Sequence, residues 1–170
     1  MGPELGRLGD LLRRRDLTVA VAESMTGGLL AAALADLPES SQRFLGGVVS
    51  YRTDKKMELL GVPEEVIAKD GVVSRPAARL MAESARRLFR AGLAISVTGV
   101  AGPQPQEGKP VGLTYIGVSL DGHTEVREYR WPGGRAANRV ASVEAAIALA
   151  ADLLDAPTLP SPRGGGKESP

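Results

Sequence analysis

With 170 residues and a hydrophobic fraction of 43%, the chain has material for one core of ordinary size, and a second domain would be crowded. Its net charge of +1 comes from near-equal numbers of acids and bases, and the absence of a long basic run argues against nucleic acid as a partner. The lack of cysteine excludes disulfides, thiolate metal sites and a cysteine nucleophile, and the single histidine, His123, excludes a polyhistidine metal centre.

The amino terminus places charges among its leucines, unlike a signal peptide, and Gly6 stands where a myristoylation pattern needs Ser or Thr. No stretch approaches membrane-spanning length, so a soluble cytoplasmic protein without a membrane partner is expected. Leu5, Leu8, Leu11 and Leu12 form the apolar stripe of a first helix that ends in the basic cluster Arg13 to Arg15.

The next segment, from Val19 to Gly28, reads as strand, tight turn and helix. The valine-rich run predicts a buried strand, and Leu29, Leu30 and Leu34 resume at helical spacing. Between them, Ser24 and Thr26 stand beside the paired glycines Gly27 and Gly28, where free N–H groups at a helix start can hold an anion. This is either a nucleophile or phosphate turn, or a capped loop in which a hydroxyl merely closes the helix.

The helix ends near Asp36, before Pro38, and Phe44 to Tyr51 reads as a second strand. Arg52 to Leu60 carries Lys55 and Lys56 on a short helical pattern stopped by Gly61 and Pro63, and Glu64 to Lys69 adds a turn or two. Ser74 is the expected cap, with Pro76 in the first turn, of a longer helix whose Leu80, Met81, Ala85, Leu88 and Phe89 face the core. A third strand, Leu93 to Thr98, runs into a second glycine-bearing turn, Gly99 to Pro103, and then a polar loop reaching Pro110.

Leu113 to Leu120 and Thr124 to Arg130, joined through Asp121-Gly122, predict an antiparallel hairpin with His123 as a solvated turn residue. After Gly134, the residues Val140, Val143, Ile147, Ala150 and Leu154 keep helical spacing on a long final helix. The expected architecture is a single-domain α/β fold over residues 1–155, a three-layer α/β/α sandwich with a mixed sheet, followed by a flexible tail over 156–170.

Ligands of such sheets bind outside the carboxyl ends of the strands, where both glycine turns and Tyr51 fall if the first three strands are parallel. Without a nearby histidine, a base for Ser24 must be lysine, glutamate or tyrosine, and Lys56 lies five residues after the strand-ending Tyr51. A Ser–Lys pair is one reading, and a solvated lysine on a short charged helix is the other. Glu23 would orient the lysine, bind a substrate hydroxyl or satisfy backbone donors in the turn. The Thr98-Gly99-Val100-Ala101-Gly102 turn offers N–H groups to an oxyanion or phosphate, or needs glycine only for its backbone. Arg135 and Arg139, one helical turn apart, suit an anion at a helix start, although Arg139 also fits a surface face.

The ordered motifs AESMTGG, GGVVSYRTDKKMELLGV, DGVVS, SVTGVAGP, KPVG and WPGGR resemble the carboxy-terminal domain of the competence/damage-inducible protein CinA, a family that includes stand-alone nicotinamide mononucleotide deamidases. The resemblance runs from the first strand to the last helix. It implies hydrolysis of the nicotinamide carboxamide to nicotinic acid mononucleotide and ammonia, in pyridine-nucleotide recycling. In that reading Ser24 is the nucleophile, Lys56 its base, and Tyr51 assists the proton transfers or positions the amide. The backbone near Thr26, Gly27 and Gly28 would stabilise the oxyanion or hold substrate, and the turn containing Thr98, Gly99, Ala101 and Gly102 would bind the ribose phosphate with Arg135. No metal or cofactor is implied, and a homodimer or larger homo-oligomer is. The alternatives are a non-catalytic nucleotide-binding or regulatory domain and an amidase for a related small carboxamide. The chain departs from the family pattern at Met25, where cysteine is usual, at Gln104-Pro105-Gln106-Glu107-Gly108, where glycines are usual, and at Gly134, where an acidic residue is usual.

Overall fold

The structure, a computed structural model, describes residues 2–156. Its elements follow in the order α1 (Pro3–Arg14), β1 (Val19–Glu23), α2 (Leu29–Ala35), α3 (Ser40–Arg43), β2 (Phe44–Val49), α4 (Thr53–Leu60), α5 (Glu64–Asp70), α6 (Arg75–Phe89), β3 (Leu93–Gly99), β4 (Leu113–Leu120), β5 (His123–Arg130) and α7 (Arg135–Asp155). The expected tail lies almost wholly outside the described residues.

The strands form one mixed sheet in the order β2-β1-β3-β4-β5. β1 pairs in parallel with β2 and β3, whereas β4 runs antiparallel to both β3 and β5. The three parallel strands therefore end at the same edge, as the α/β reading requires.

Alternation along β1 divides the core in two. Val19 and Val21 pack into a cluster with α1, α2 and α7, while Ala20 and Ala22 turn to a cluster containing Met81 and Ala85 of α6. Alanine on that side leaves room for α6, which crosses all five strands. These are the outer layers of the α/β/α sandwich.

Local rules explain most element ends. Ser74 caps α6 by accepting the Ala77 N–H at 3.2 Å, with Pro76 inside the first turn. Two periodic leucine and valine positions behave differently from the expectation: Leu88 is 58% exposed and Val140 51% exposed, because each falls at the margin of its helix's apolar stripe. The short α3, which lies in the stretch read as a connection, is an unpredicted element. Among the described residues, no helix is long and apolar enough to cross a membrane.

Candidate active site

The carboxyl ends of β2, β1 and β3 carry a row of hydroxyl residues. The last paired set is Val49, Glu23 and Val97, and the ladder continues one step through Ser24 N–H to Val97 O and Ser50 N–H to Glu23 O, both 2.9 Å. Ser50, Ser24 and Thr98 thus stand side by side, on the face shared with Ala20 and Ala22 and therefore toward α6.

Glu23 points to the other face. It is fully buried, and its carboxylate accepts the N–H groups of Gly28, Leu30 and Ala31 at 2.8–3.1 Å. These are the unsatisfied donors of the first turn of α2, whose own cap, Gly28, has a left-handed backbone and no side chain to offer. The expectation that Glu23 contacts substrate is corrected on this ground: its lone pairs are committed to the helix start.

The same accounting corrects the oxyanion assignment. Gly27 N–H bonds to Ser24 O at 3.1 Å and Gly28 N–H to Glu23, so neither is available to a ligand. The N–H groups of Met25 and Thr26 have no partner among the described residues. The Thr26 hydroxyl is buried and unpartnered.

Thr98 is likewise structural. Its hydroxyl is buried and donates to Val72 O at 2.8 Å, below the cavity rather than in it. Gly99, Ala101 and Gly102 do line the cavity, together with Ser24, Tyr51 and Arg135. This cavity measures about 80 Å3 and is open to solvent. Its remaining walls come from Val72 and Val73 on one side and Gln104 and Gln106 on another.

Lys56 enters from α4 and is 1% exposed. Its Nζ donates to Ser50 O at 2.8 Å and, more weakly, to Tyr51 O at 3.4 Å. Burial pushes the amine down from 10.5 to about 8, against the opposing pull of the Glu107 carboxylate. A neutral amine has two N–H bonds and one lone pair. With two carbonyls facing the N–H bonds, the lone pair is the position left for a proton. Among the described residues, no hydrogen bond joins Lys56 to Ser24 Oγ.

Arg135, the first residue of α7, donates to Gly102 O at 2.7 Å and to the Tyr51 hydroxyl. It ties the second glycine turn to the end of β2 at the cavity mouth, where Tyr51 remains 55% exposed. Arg139 behaves differently from a second anion ligand. Its guanidinium donates to Met25 O at 3.1 Å and Thr26 O at 2.7 Å, pinning the turn that carries Ser24. Spacing from Arg135 marked it as interesting, but only the position of the Ser24 turn shows what it holds. Met25 is also an anchor, its sulfur accepting from the Thr114 hydroxyl at 3.3 Å and lying 3.8 Å from the Ser142 hydroxyl on the α7 side.

A second, larger hollow lies at the opposite end of the sheet, between α6 and the β4–β5 turn, beside His123, which the structure places as the first residue of β5 rather than in the turn. Two of its arginines are engaged by neighbouring carboxylates, Arg79 by Glu83 and Arg86 by Asp121, and no hydroxyl–amine pair stands there. Among the described residues, no group of three His, Cys, Asp or Glu side chains could hold a metal ion.

The family model of the CinA C-terminal domain matches residues 5–154. The chain belongs to that family. This CinA C-terminal domain is 48% identical over 147 residues to a putative competence-damage inducible protein of Desulforamulus reducens, covering 86% of this chain and 36% of that protein. It is 46% identical over 144 residues to a CinA-like protein of Frankia casuarinae, covering 85% and 33%. The domain thus spans about a third of the length of these curated relatives. Among solved structures it is similar to a CinA superfamily protein from Klebsiella pneumoniae, with a TM-score of 0.86, 30% identity and coverage of 89% and 95%. It is similar also to the competence/damage inducible protein CihA from Agrobacterium tumefaciens, with a TM-score of 0.79, 37% identity and coverage of 89% and 97%.

Proposed function

We propose that this CinA C-terminal domain is an amidohydrolase that converts nicotinamide mononucleotide to nicotinic acid mononucleotide and ammonia. The observation that carries the reading is the buried Lys56 amine at the carboxyl edge of the sheet, held by the carbonyls of Tyr51 and of Ser50, the residue beside Ser24 on the neighbouring strand. A lysine is costly to bury, and its amine, besides bonding two carbonyls, is pushed to about 8, which suits a proton acceptor.

In the proposed reaction, Ser24 Oγ attacks the carboxamide carbon while its proton passes to the Lys56 amine. The tetrahedral oxyanion meets the free N–H groups of Met25 and Thr26. Collapse breaks the C–N bond, and the proton from Lys56 leaves with ammonia. A water then gives its proton to Lys56 and attacks the acyl carbon, and return of that proton frees Ser24. In this reading the amide end enters the cavity beside Ser24 and the ribose phosphate lies toward Arg135. Tyr51 holds the amide or assists the proton transfers. The reaction needs no metal or cofactor.

The reading extends to the setting of the protein: a cytoplasmic homodimer working in pyridine-nucleotide recycling. Support for self-association comes from the edge strand β2, which leaves Leu45 and Val49 41% and 48% exposed. Ammonia release from nicotinamide mononucleotide, compared with nicotinamide and its riboside, tests the substrate. Preference for the phosphorylated compound is expected. Equal rates on all three would favour an amidase for a related carboxamide.

The lack of a Ser24–Lys56 hydrogen bond among the described residues favours a second reading, a non-catalytic nucleotide-binding domain. Calorimetry showing nucleotide binding without any product would establish it over the first.

A further inference from the structure

The polar loop after the second glycine turn contains a tight hairpin. Gln106 and Lys109 exchange both backbone hydrogen bonds, at 2.8 and 3.2 Å. They enclose Glu107 and Gly108, with φ of 53° and 69°. Positive φ at both central positions is the type I′ pattern, which favours Asn or Asp followed by Gly. Glutamate at the first position is therefore unusual, and its side chain supplies a reason.

The Glu107 carboxylate accepts the N–H of Val72 at 3.0 Å and, at the limit of reach, that of Val73 at 3.5 Å. Lys109, 3.7 Å from the same carboxylate, donates from Nζ to the carbonyls of Asp70 and Val73. An acceptor and a donor thus grip the donors and acceptors of one strip of backbone. Gly71 makes the fit possible, since a Cβ there would lie 2.3 Å from Glu107 Oε2 and 2.7 Å from Lys109 Nζ.

What the grip fixes is the wall of the cavity. Val72 and Val73 belong to the held strip, and Gln104 and Gln106 to the loop that holds it. Gln104 and Gln106 are exposed residues of the cavity lining, and their side-chain amides have no hydrogen-bond partner among the described residues. An amide both donates and accepts, as a sugar hydroxyl does.

We infer that Glu107 is a positioning residue that straps the hairpin to the strip 70–73 and so presents Gln104 and Gln106 to the ribose hydroxyls of the substrate. This rests on the amidohydrolase reading for its ligand, but the strap itself does not. The negative charge that Glu107 places near the Lys56 amine is a further link between strap and site.

The test uses the full chain with Glu107→Ala, Glu107→Gln and the double variant Gln104→Ala/Gln106→Ala, each checked for an unchanged melting profile. Backbone exchange at Val72 and Val73 should accelerate roughly tenfold in Glu107→Ala as the local hydrogen bonds open. KM for nicotinamide mononucleotide should rise about fivefold to twentyfold with kcat within about threefold, because binding contacts are lost before the chemical step. Glu107→Gln keeps one acceptor oxygen and should recover most of both effects. The double variant should raise KM without changing exchange. Unchanged exchange in Glu107→Ala overturns the strap, and faster exchange with an unaltered KM overturns the positioning role. An inactive wild-type chain would count against the substrate reading alone, and the exchange contrast would then decide the strap.

Discussion

At the residue scale, the site depends on a lysine kept out of water. The Lys56 amine is displaced to about 8 by burial, so the rate should rise through that pH and level off above it, as the neutral form accumulates. A pH profile of kcat/KM checks this, and a rate already flat from pH 6 to 9 would contradict it. The same burial affects stability with a definite sign. Between about 8 and 10.5 the unfolded chain binds the Lys56 proton more tightly than the folded one, so this group's penalty is full below about 8 and gone above 10.5. Lys56→Met should therefore be inactive yet more stable than wild type at pH 7, with the gain shrinking as the pH approaches 10.5. Denaturant titrations at several pH values measure the difference. Arg139 offers a separate test: Arg139→Ala removes the two donors that pin Met25 and Thr26 and should lower kcat about tenfold or more by loosening the nucleophile turn, with folding intact by circular dichroism.

Single residues also mark how far a sequence can be read. Ser24, Tyr51 and Arg135 fall around one cavity as strand-end logic requires. Glu23 was ambiguous because a carboxylate beside a glycine turn serves a ligand or a helix start equally well, and only the direction in which β1 presents it separates the two. Thr98 follows the same parity argument toward Val72. Glu107 and Lys109 were invisible, since their partners are backbone groups more than 30 residues away in sequence.

At the element scale, caps and breakers placed most boundaries. Ser74 before Arg75-Pro76 was legible as a start, and the structure puts its hydroxyl on Ala77 N–H. Ser74→Ala should cost about 1 kcal/mol, near the usual value for a lost cap. Thermal unfolding would show this as a fall of roughly 2–4 °C. Glu23→Ala is the harsher change. It strands the N–H groups of Gly28, Leu30 and Ala31 inside the protein, with an expected loss of about 3 kcal/mol or more. The carboxylate is thus predicted to matter for folding, and equal stability of wild type and Glu23→Ala in urea would refute its capping role. Periodicity misjudged Leu88 and Val140 because a stripe read from sequence has no edge, whereas a helix packed on a sheet does.

At the scale of the whole molecule, two parallel crossovers and one hairpin bring the Ser24 turn, the end of β2 and the second glycine turn to the same edge of the sheet. α4 then lays Lys56 beneath that edge, and α7 closes it with Arg135 and Arg139. The alternation of helices and strands made this architecture readable, and the positions of the long-range contacts did not follow from it. The open β2 edge carries the prediction that belongs here: light scattering should report a dimer, and Leu45→Lys should shift it toward monomer. The central claim is that Ser24 gives its proton to Lys56 and attacks an amide. Ammonia release from nicotinamide mononucleotide by the wild-type chain and by Ser24→Ala tests it most directly. Turnover by the wild type that falls at least about a thousandfold in the variant is the predicted result; undiminished release by Ser24→Ala would contradict it.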